Sequence, residues 1–271
     1  MKPDCKILAV ANQKGGVGKT TTSVNLAASL AATRRRVLLI DMDPQGNATM
    51  GCGIDKLALE ISVCDVLLGD ATVAEAMVPI EQAHFDLLPA NSDLTVAEVK
   101  LVSMFGREFK LKKALQNTDL DYDFVIIDCP PSLNMLTVNA MVAAQGVLIP
   151  MQCEYYALEG LSALMRTVEE LRESVNPDLE VEGLLRTMFD PRNNLSNDVS
   201  DQLIEYFGDR VYNTIIPRNV RLAEAPSHGR PVLHYDRASR GSLAYLTLAG
   251  EILRRQEDET AADPRVGSNG G

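Results

Sequence analysis

Residues 14–21 read Lys-Gly-Gly-Val-Gly-Lys-Thr-Thr, and this run constrains the fold more than any other stretch of the chain. An apolar, strand-like segment (residues 7–11) precedes it, and a helix-like one (residues 22–32) follows. A glycine loop between a strand and a helix presents backbone N–H groups and a helix N-terminus to an anion, so it cradles phosphates. Gly15, Gly16, Val17 and Gly18 form the cradle, and Thr21 opens the helix behind it. Lys19 can reach the outer phosphates of a nucleotide, and the Thr20 hydroxyl can take a place on Mg²⁺. The run departs from the common phosphate-loop spacing, which wants glycine where Gln13 stands. It carries instead an additional lysine, Lys14, at the start of the loop.

Strand and helix signals alternate along the rest of the chain. Strands are expected at residues 37–41, 85–89, 124–128, 146–150, 181–188 and 211–216, and helices at 93–116, 134–145, 158–175, 196–207 and 242–255. Such alternation implies an α/β fold: a single doubly wound, mostly parallel sheet with helices on both faces. Ligands then sit at the carboxyl ends of the strands. Residues 1–255 read as one domain, with ample core for a chain of 271 residues. Residues 256–271 are polar and acidic, lack an apolar period, and are expected to form a flexible tail.

Composition removes several classes. No apolar run approaches the ~18 residues of a membrane span, and no signal-peptide pattern opens the chain. The five cysteines (Cys5, Cys52, Cys64, Cys129, Cys153) are scattered and form no C-x-x-C pair, which suits reduced thiols in a cytoplasm.

Three acids stand where phosphoryl-transfer chemistry needs them. Asp128 ends the apolar run Phe124-Val125-Ile126-Ile127, a place from which it can hold Mg²⁺ or a metal-bound water. Cys129-Pro130-Pro131-Ser132 follows, a stiff loop suited to sensing a terminal phosphate. Asp41 and Asp43 close another strand beside the phosphate loop, where a nucleotide would repel them unless a cation intervenes.

The run Lys-Gly-Gly-x-Gly-Lys-Thr resembles the deviant Walker A loop of ATPases such as ParA, MinD and the nitrogenase iron protein. Leu38-Leu39-Ile40-Asp41-Met42-Asp43-Pro44-Gln45-Gly46-Asn47-Ala48-Thr49 resembles the ParA group closely. So do the stretch from Met151 through Tyr155 and Tyr156 to Gly160 and the stretch from Ile216 to Gly229, so the resemblance to the chromosomal ParA (Soj) family covers roughly residues 5–255. It implies ATP and Mg²⁺ as ligands and a nucleotide-dependent homodimer in which Lys14 reaches the partner's ATP. It also implies that Asp43 positions the hydrolytic water, Asp41 supports the metal shell, and Met188, Pro217 and Asn219 line the adenine. Slow hydrolysis stimulated by a ParB-type partner, non-specific DNA binding by the dimer, and a cytoplasmic, nucleoid-associated location follow from the same resemblance. So few residues precede the first strand that an N-terminal operator-reading domain is not expected.

The net charge is −11, yet residues 217–240 carry five arginines (Arg218, Arg221, Arg230, Arg237, Arg240) against Glu224 and Asp236, a local +3. Arginines over one face, without a base-reading element, suit phosphate contact only. Arg192, Arg218, Arg221 and Arg240 are the candidates for DNA. Two other readings have distinct requirements. A MinD-like membrane-surface ATPase needs a basic amphipathic C-terminus, whereas here Glu257, Asp258, Glu259 and Asp263 stand against Arg265. A reductase like the nitrogenase iron protein needs exposed cysteines for a shared cluster.

Overall fold

The structure, a computed structural model, describes residues 5–119, 121–155 and 157–262. Tyr156 of the ParA-like stretch and the tail from residue 263 lie outside the described residues. β1 (Lys6–Val10) leads through the glycine loop into α1 (Lys19–Ala32), and β2 (Val37–Asp41) follows. Three short helices come next: α2 (Asn47–Gly51), α3 (Val63–Leu68) and α4 (Val73–Ala76). They are followed by β3 (Val78–Ile80), β4 (Phe85–Leu88), α5 (Leu94–Leu101), α6 (Lys110–Gln116) and β5 (Phe124–Asp128). The second half runs α7 (Met135–Ala143), β6 (Gly146–Gln152), α8 (Ala157–Ser174), β7 (Glu180–Phe189), α9 (Asn194–Phe207) and β8 (Val211–Pro217). Helices α10 (Val220–Glu224), α11 (Val232–Tyr235) and α12 (Arg240–Ala262) close the described chain.

The eight strands lie in the order β3-β4-β2-β5-β1-β6-β7-β8, and every pairing is parallel except β3 with β4. The central strands are buried on both faces because alternate side chains serve two cores. Ile7, Ala9, Ile40, Val125 and Ile127 face α3, α5, α6, α7, α8 and α9. Leu8, Val10, Leu39, Phe124 and Ile126 face α1 and α12. The doubly wound sheet expected from the alternation is therefore present.

Three local features depart from the sequence expectation. The helix expected over 93–116 is broken into α5 and α6. Gly106 turns left-handed (φ 59) between them, and Asn139 of α7 accepts from Leu111 N and donates to the Arg107 carbonyl, pinning the break. The antiparallel edge strand β3 carries only Val-Pro-Ile, too short and too proline-bound to give a strand signal. Residues 256–262, expected to begin the tail, continue α12.

Close packing at the β8 edge tests this architecture. A Cβ on Gly183 would lie 2.6 Å from the ring of the fully buried Tyr212. Gly183→Ala is expected to lower stability by about 1–3 kcal/mol, as overpacking does, read as a lower urea midpoint with an unchanged slope.

Candidate functional site

Loops at the carboxyl ends of β1, β2 and β5 converge on a cleft of about 960 Å³. Its floor is the glycine loop and the start of α1. Gly16 and Gly18 are left-handed (φ 73 and 88), and a Cβ on Gly15 or Gly16 would meet nothing within 4 Å, so the loop's inner side is open. No side chain caps α1, whose N-cap is Gly18. The N–H groups of its first turn therefore remain available to an anion, reinforced by the dipole of a 14-residue helix. Two long-range bonds hold the loop in place. Thr187 Oγ1 donates to the Val17 carbonyl (2.7 Å), and Asn12 Nδ2 donates to the Pro150 carbonyl (2.8 Å) while its oxygen accepts from Lys14 N (2.9 Å).

The two loop lysines point in opposite directions. Lys19 is buried, donates to the Lys14 carbonyl at 3.0 Å, and has its pKa lowered chiefly by burial, against the opposing pull of Asp128. Among the described residues it has no ion pair, so a cation stands ready for an anion in the cleft. Lys14 faces outward with 45% of its side chain exposed, and it pairs at 2.5 Å with the equally exposed Glu154.

Asp41 and Asp128 end adjacent parallel strands at the same register, and both are fully buried. Asp128 accepts from Thr20 Oγ1 and Ser23 Oγ, each at 2.8 Å. Asp41 accepts from Thr49 N and Oγ1 with one oxygen (2.8 Å each) and from Asp43 N with the other (3.1 Å). Burial pushes both carboxyls above the usual carboxylate range, and their mutual repulsion with Asp43 adds to it. Asp43 itself is nearly buried, lines the cleft, and holds its own turn by accepting from Gln45 N at 2.9 Å.

Among the described residues no three His, Cys, Asp or Glu side chains converge as a protein-only metal cage. Mg²⁺ characteristically takes one or two protein oxygens and completes its shell with phosphate and water. Asp128 and Thr20 beside an uncapped helix start fit that habit.

A second cavity of about 170 Å³ opens beside the loop, sharing Gly18, Thr21 and Met188 with the main cleft and adding Pro217 and Asn219. The structure thus places all three expected base contacts around one hollow. Met188 is left-handed (φ 48), a strained state for a residue with a side chain and one that recurs at ligand sites. The Asn219 oxygen caps α10 by accepting from Arg221 N at 2.9 Å, which leaves its amide group as a donor.

The expected DNA-contacting arginines lie along the β7–β8 side of the cleft. Arg218 N reaches the Phe189 carbonyl (3.4 Å), which joins the Arg192 loop to the Arg218 loop. A Cβ on Gly241 would touch the Leu222 side chain at 2.6 Å, so Arg240 and Arg221 stand on abutting elements. Arg192 is paired bidentately with Asp190, and Arg221 with Glu224 and Asp236. Arg218 and Arg240 are exposed with no ion pair among the described residues.

Sequence reasoning missed several residues that complete the site. Ser23 follows Thr20 by one helical turn, so helix geometry alone could have found it. Glu154, Thr49 and the contact of Gly53 with Gly229 gave no local signal. Those two left-handed glycines pack backbone to backbone: a Cβ on Gly53 would lie 2.8 Å from the Gly229 carbonyl oxygen. Pro226, Ser227 and Arg230 beside Gly229 also line the main cleft. All five cysteines are buried, so none is presented for a cluster shared with a partner.

With this geometry in hand, the comparisons are specific. The chain matches the family model described as an AAA domain over residues 5–181. It is 54% identical to the sporulation initiation inhibitor protein Soj of Bacillus subtilis, over 91% of this chain and 98% of that one. It is 52% identical to the chromosome partitioning protein ParA of Caulobacter vibrioides, over 94% of this chain and 97% of the other. A crystal structure described as cobyrinic acid a,c-diamide synthase from Mycobacterium smegmatis, with bound ADP and magnesium, superposes with TM-score 0.83 at 41% identity, covering 94% of this chain and 96% of that one.

The raised carboxyls give a sign-definite prediction. A carboxyl whose folded pKa exceeds its unfolded value stabilises the fold relatively at low pH and loses that contribution as pH rises through the folded pKa. Asp128→Asn removes one of these charges and keeps oxygen and amide partners for Thr20 and Ser23. It is expected to raise the melting stability of the ligand-free protein by about 1–2 kcal/mol at neutral pH, with the gain shrinking toward pH 5. The same variant is expected to lose the Mg²⁺-dependent gain in ADP affinity, measured by calorimetry with Mg²⁺ and with EDTA.

Proposed function

The chain belongs to the ParA/Soj family of chromosome-partitioning ATPases, and from that premise we propose that it is an ATP-operated switch whose two states are monomer and nucleotide-bridged homodimer. The observation that carries this reading is the opposed orientation of the loop lysines: Lys19 turns into the cleft, while Lys14 stands outside on a single exposed ion pair. An exposed pair of this kind contributes little, on the order of 0–1 kcal/mol. Lys14 can therefore leave Glu154 for the ATP of a second copy at small cost.

In this reading the loop N–H groups from Gly15 to Thr21 and the Lys19 ammonium hold the phosphates. Thr20 and Asp128 hold Mg²⁺, directly or through its water, and the metal supplies charge neutralisation for the leaving phosphates. Asp43 orients the attacking water. Asp41 supports the metal shell beside Asp128, and its bonds to Thr49 and to Asp43 N also fix where Asp43 stands. Met188, Pro217 and Asn219 receive the adenine.

The dimer then joins two copies of the Arg192, Arg218, Arg221 and Arg240 surface into one duplex-binding face, so affinity rises by avidity rather than by a new contact. Arg192 and Arg221 exchange carboxylates for phosphates there. A ParB-type partner stimulates hydrolysis and releases the dimer from the nucleoid. No described helix is long and apolar enough to cross a membrane.

Sizing and DNA retention with ATP, ADP and no nucleotide test the proposal. The wild-type chain is expected to dimerise and hold duplex DNA only with ATP. Eight arginines per dimer give a log–log salt slope of about −7. Lys14→Ala is expected to remain monomeric with ATP. Asp43→Ala is expected to lose about 10²-fold or more in hydrolysis and to stay on DNA as a dimer. Equal DNA retention with ATP and ADP contradicts the switch, and normal turnover in Asp43→Ala contradicts its role.

A further inference from the structure

A second positive surface lies on the opposite layer of the sheet from α12. From Glu98 to Lys113 the chain carries five cations (Lys100, Arg107, Lys110, Lys112, Lys113) and two carboxylates (Glu98, Glu108), a local +3 on a protein of net charge −11. Among the described residues none of these five cations has an ion pair, unlike Arg192 and Arg221. Charged side chains left unpaired over two successive helices remain available for an outside partner.

Lys100, Arg107 and Lys113 accompany a run of exposed apolar side chains, whereas Lys112 lines a separate pocket with Asp178. Leu94, Ala97 and Leu101 turn the inner face of α5 into the core. Val96, Val99, Val102 and Phe105, spaced by three, face outward; Val99 is 71% exposed, Val102 59%, and Phe105 completely. Single exposed apolar residues are ordinary, but four exposed within residues 96–105 mark a contact surface. Cations and stripe are physically joined. Arg107 Nη1 donates to the Val102 carbonyl at 2.5 Å, and Lys113 Nζ stands 3.6 Å from where a Gly106 Cβ would be, next to Phe105.

We infer that this face, α5 with the turn and helix after it, docks an acidic amphipathic helix of another protein, whose apolar side covers Val99 and Phe105 while its carboxylates meet Lys100, Arg107 and Lys113. Charge complementarity selects the acidic sign, and the apolar centre with a charged rim is the anatomy of a protein contact. Duplex DNA offers phosphates but nothing to bury Phe105. An anionic bilayer would satisfy both features locally, yet its plane extends past the patch and meets an otherwise acidic protein. Helix α5 is about 12 Å long, so roughly two turns of a partner cover it. Thr95 and Glu98, each one helical turn before Val99 and Val102 on the same side of α5, line the nucleotide cleft, so the docked helix borders the mouth of that cleft.

Fluorescence anisotropy on the full chain tests this. The probe is a labelled peptide of about 18 residues, or five helical turns, with glutamates flanking a Leu/Phe stripe. Its scrambled isomer, a short duplex and phosphatidylglycerol vesicles serve as competitors. The amphipathic peptide is expected to bind at least about tenfold more tightly than the scramble, and the double variant Val99→Ser, Phe105→Ser to lose that advantage. Lys113→Glu alone, a change at an exposed side chain, is expected to weaken binding severalfold. Equal binding of peptide and scramble, an unchanged affinity in the Val99/Phe105 variant, or displacement of the bound peptide by vesicles or duplex overturns the inference. Because none of these arms uses ATP-dependent dimerisation, a failure here is separate from a failure of the partitioning switch.

Discussion

Two carboxylates facing each other across a dry strand pair are the constraint on which this structure turns. Asp41 and Asp128 meet at one register of β2 and β5, with Asp43 two residues further on. Nothing in the surrounding cores favours such a cluster of negative charge. Thr20, Ser23 and Thr49 soften it with hydroxyl and amide donors, and Lys19 opposes it from the loop. The remaining charge suits a divalent cation at the acids and an anion at Lys19 and the uncapped start of α1. Mg²⁺ with a nucleotide phosphate supplies both at once, and binding it relieves the electrostatic cost these groups carry in the fold.

The arginine-bearing segment 217–240 adjoins the same site, lining the cleft with Pro226, Ser227 and Arg230. Segment 43–53 begins at Asp43 and ends at Gly53, whose backbone rests on Gly229. Val232 N, just beyond, donates to Asn25 Oδ1 of α1 at 2.7 Å. The loop that follows Asp43 and the arginine-bearing segment 217–240 therefore share a close backbone contact at Gly53 and Gly229. Arg192 is paired with Asp190, and Arg221 with Glu224 and Asp236.

Much of this was readable in the chain, and what was not has a common cause. Strands β1, β2, β5 and β6 are strongly apolar because both their faces are covered, and such runs announce themselves. The glycine loop, Asp41 and Asp128 sit at the ends of those runs, so strand ends located them. The break between α5 and α6 could not be seen, because Asn139, which stabilises it, lies about thirty residues later in α7. Edge strand β3 is held by β4 rather than by its own Val-Pro-Ile. Glu154 meets Lys14 across 140 residues of sequence, and Gly229 meets Gly53 across a similar distance. Local patterns carry periodicity and chemistry. Partners chosen by tertiary packing appear only once the sheet has assembled.

Proton exchange on ligand binding tests the central electrostatic claim most directly. If burial and mutual repulsion hold a proton on the Asp41–Asp128 pair at neutral pH, placing a divalent cation there must expel it. Titration of the ligand-free protein with preformed Mg·ADP at neutral pH, in buffers of different ionisation enthalpy, reads that release as a buffer-dependent heat. The account predicts a net release of protons that falls as pH rises and disappears when Mg²⁺ is withheld. A binding heat independent of buffer across the same range would contradict it, because the acids would then have been charged and satisfied before the ligand arrived.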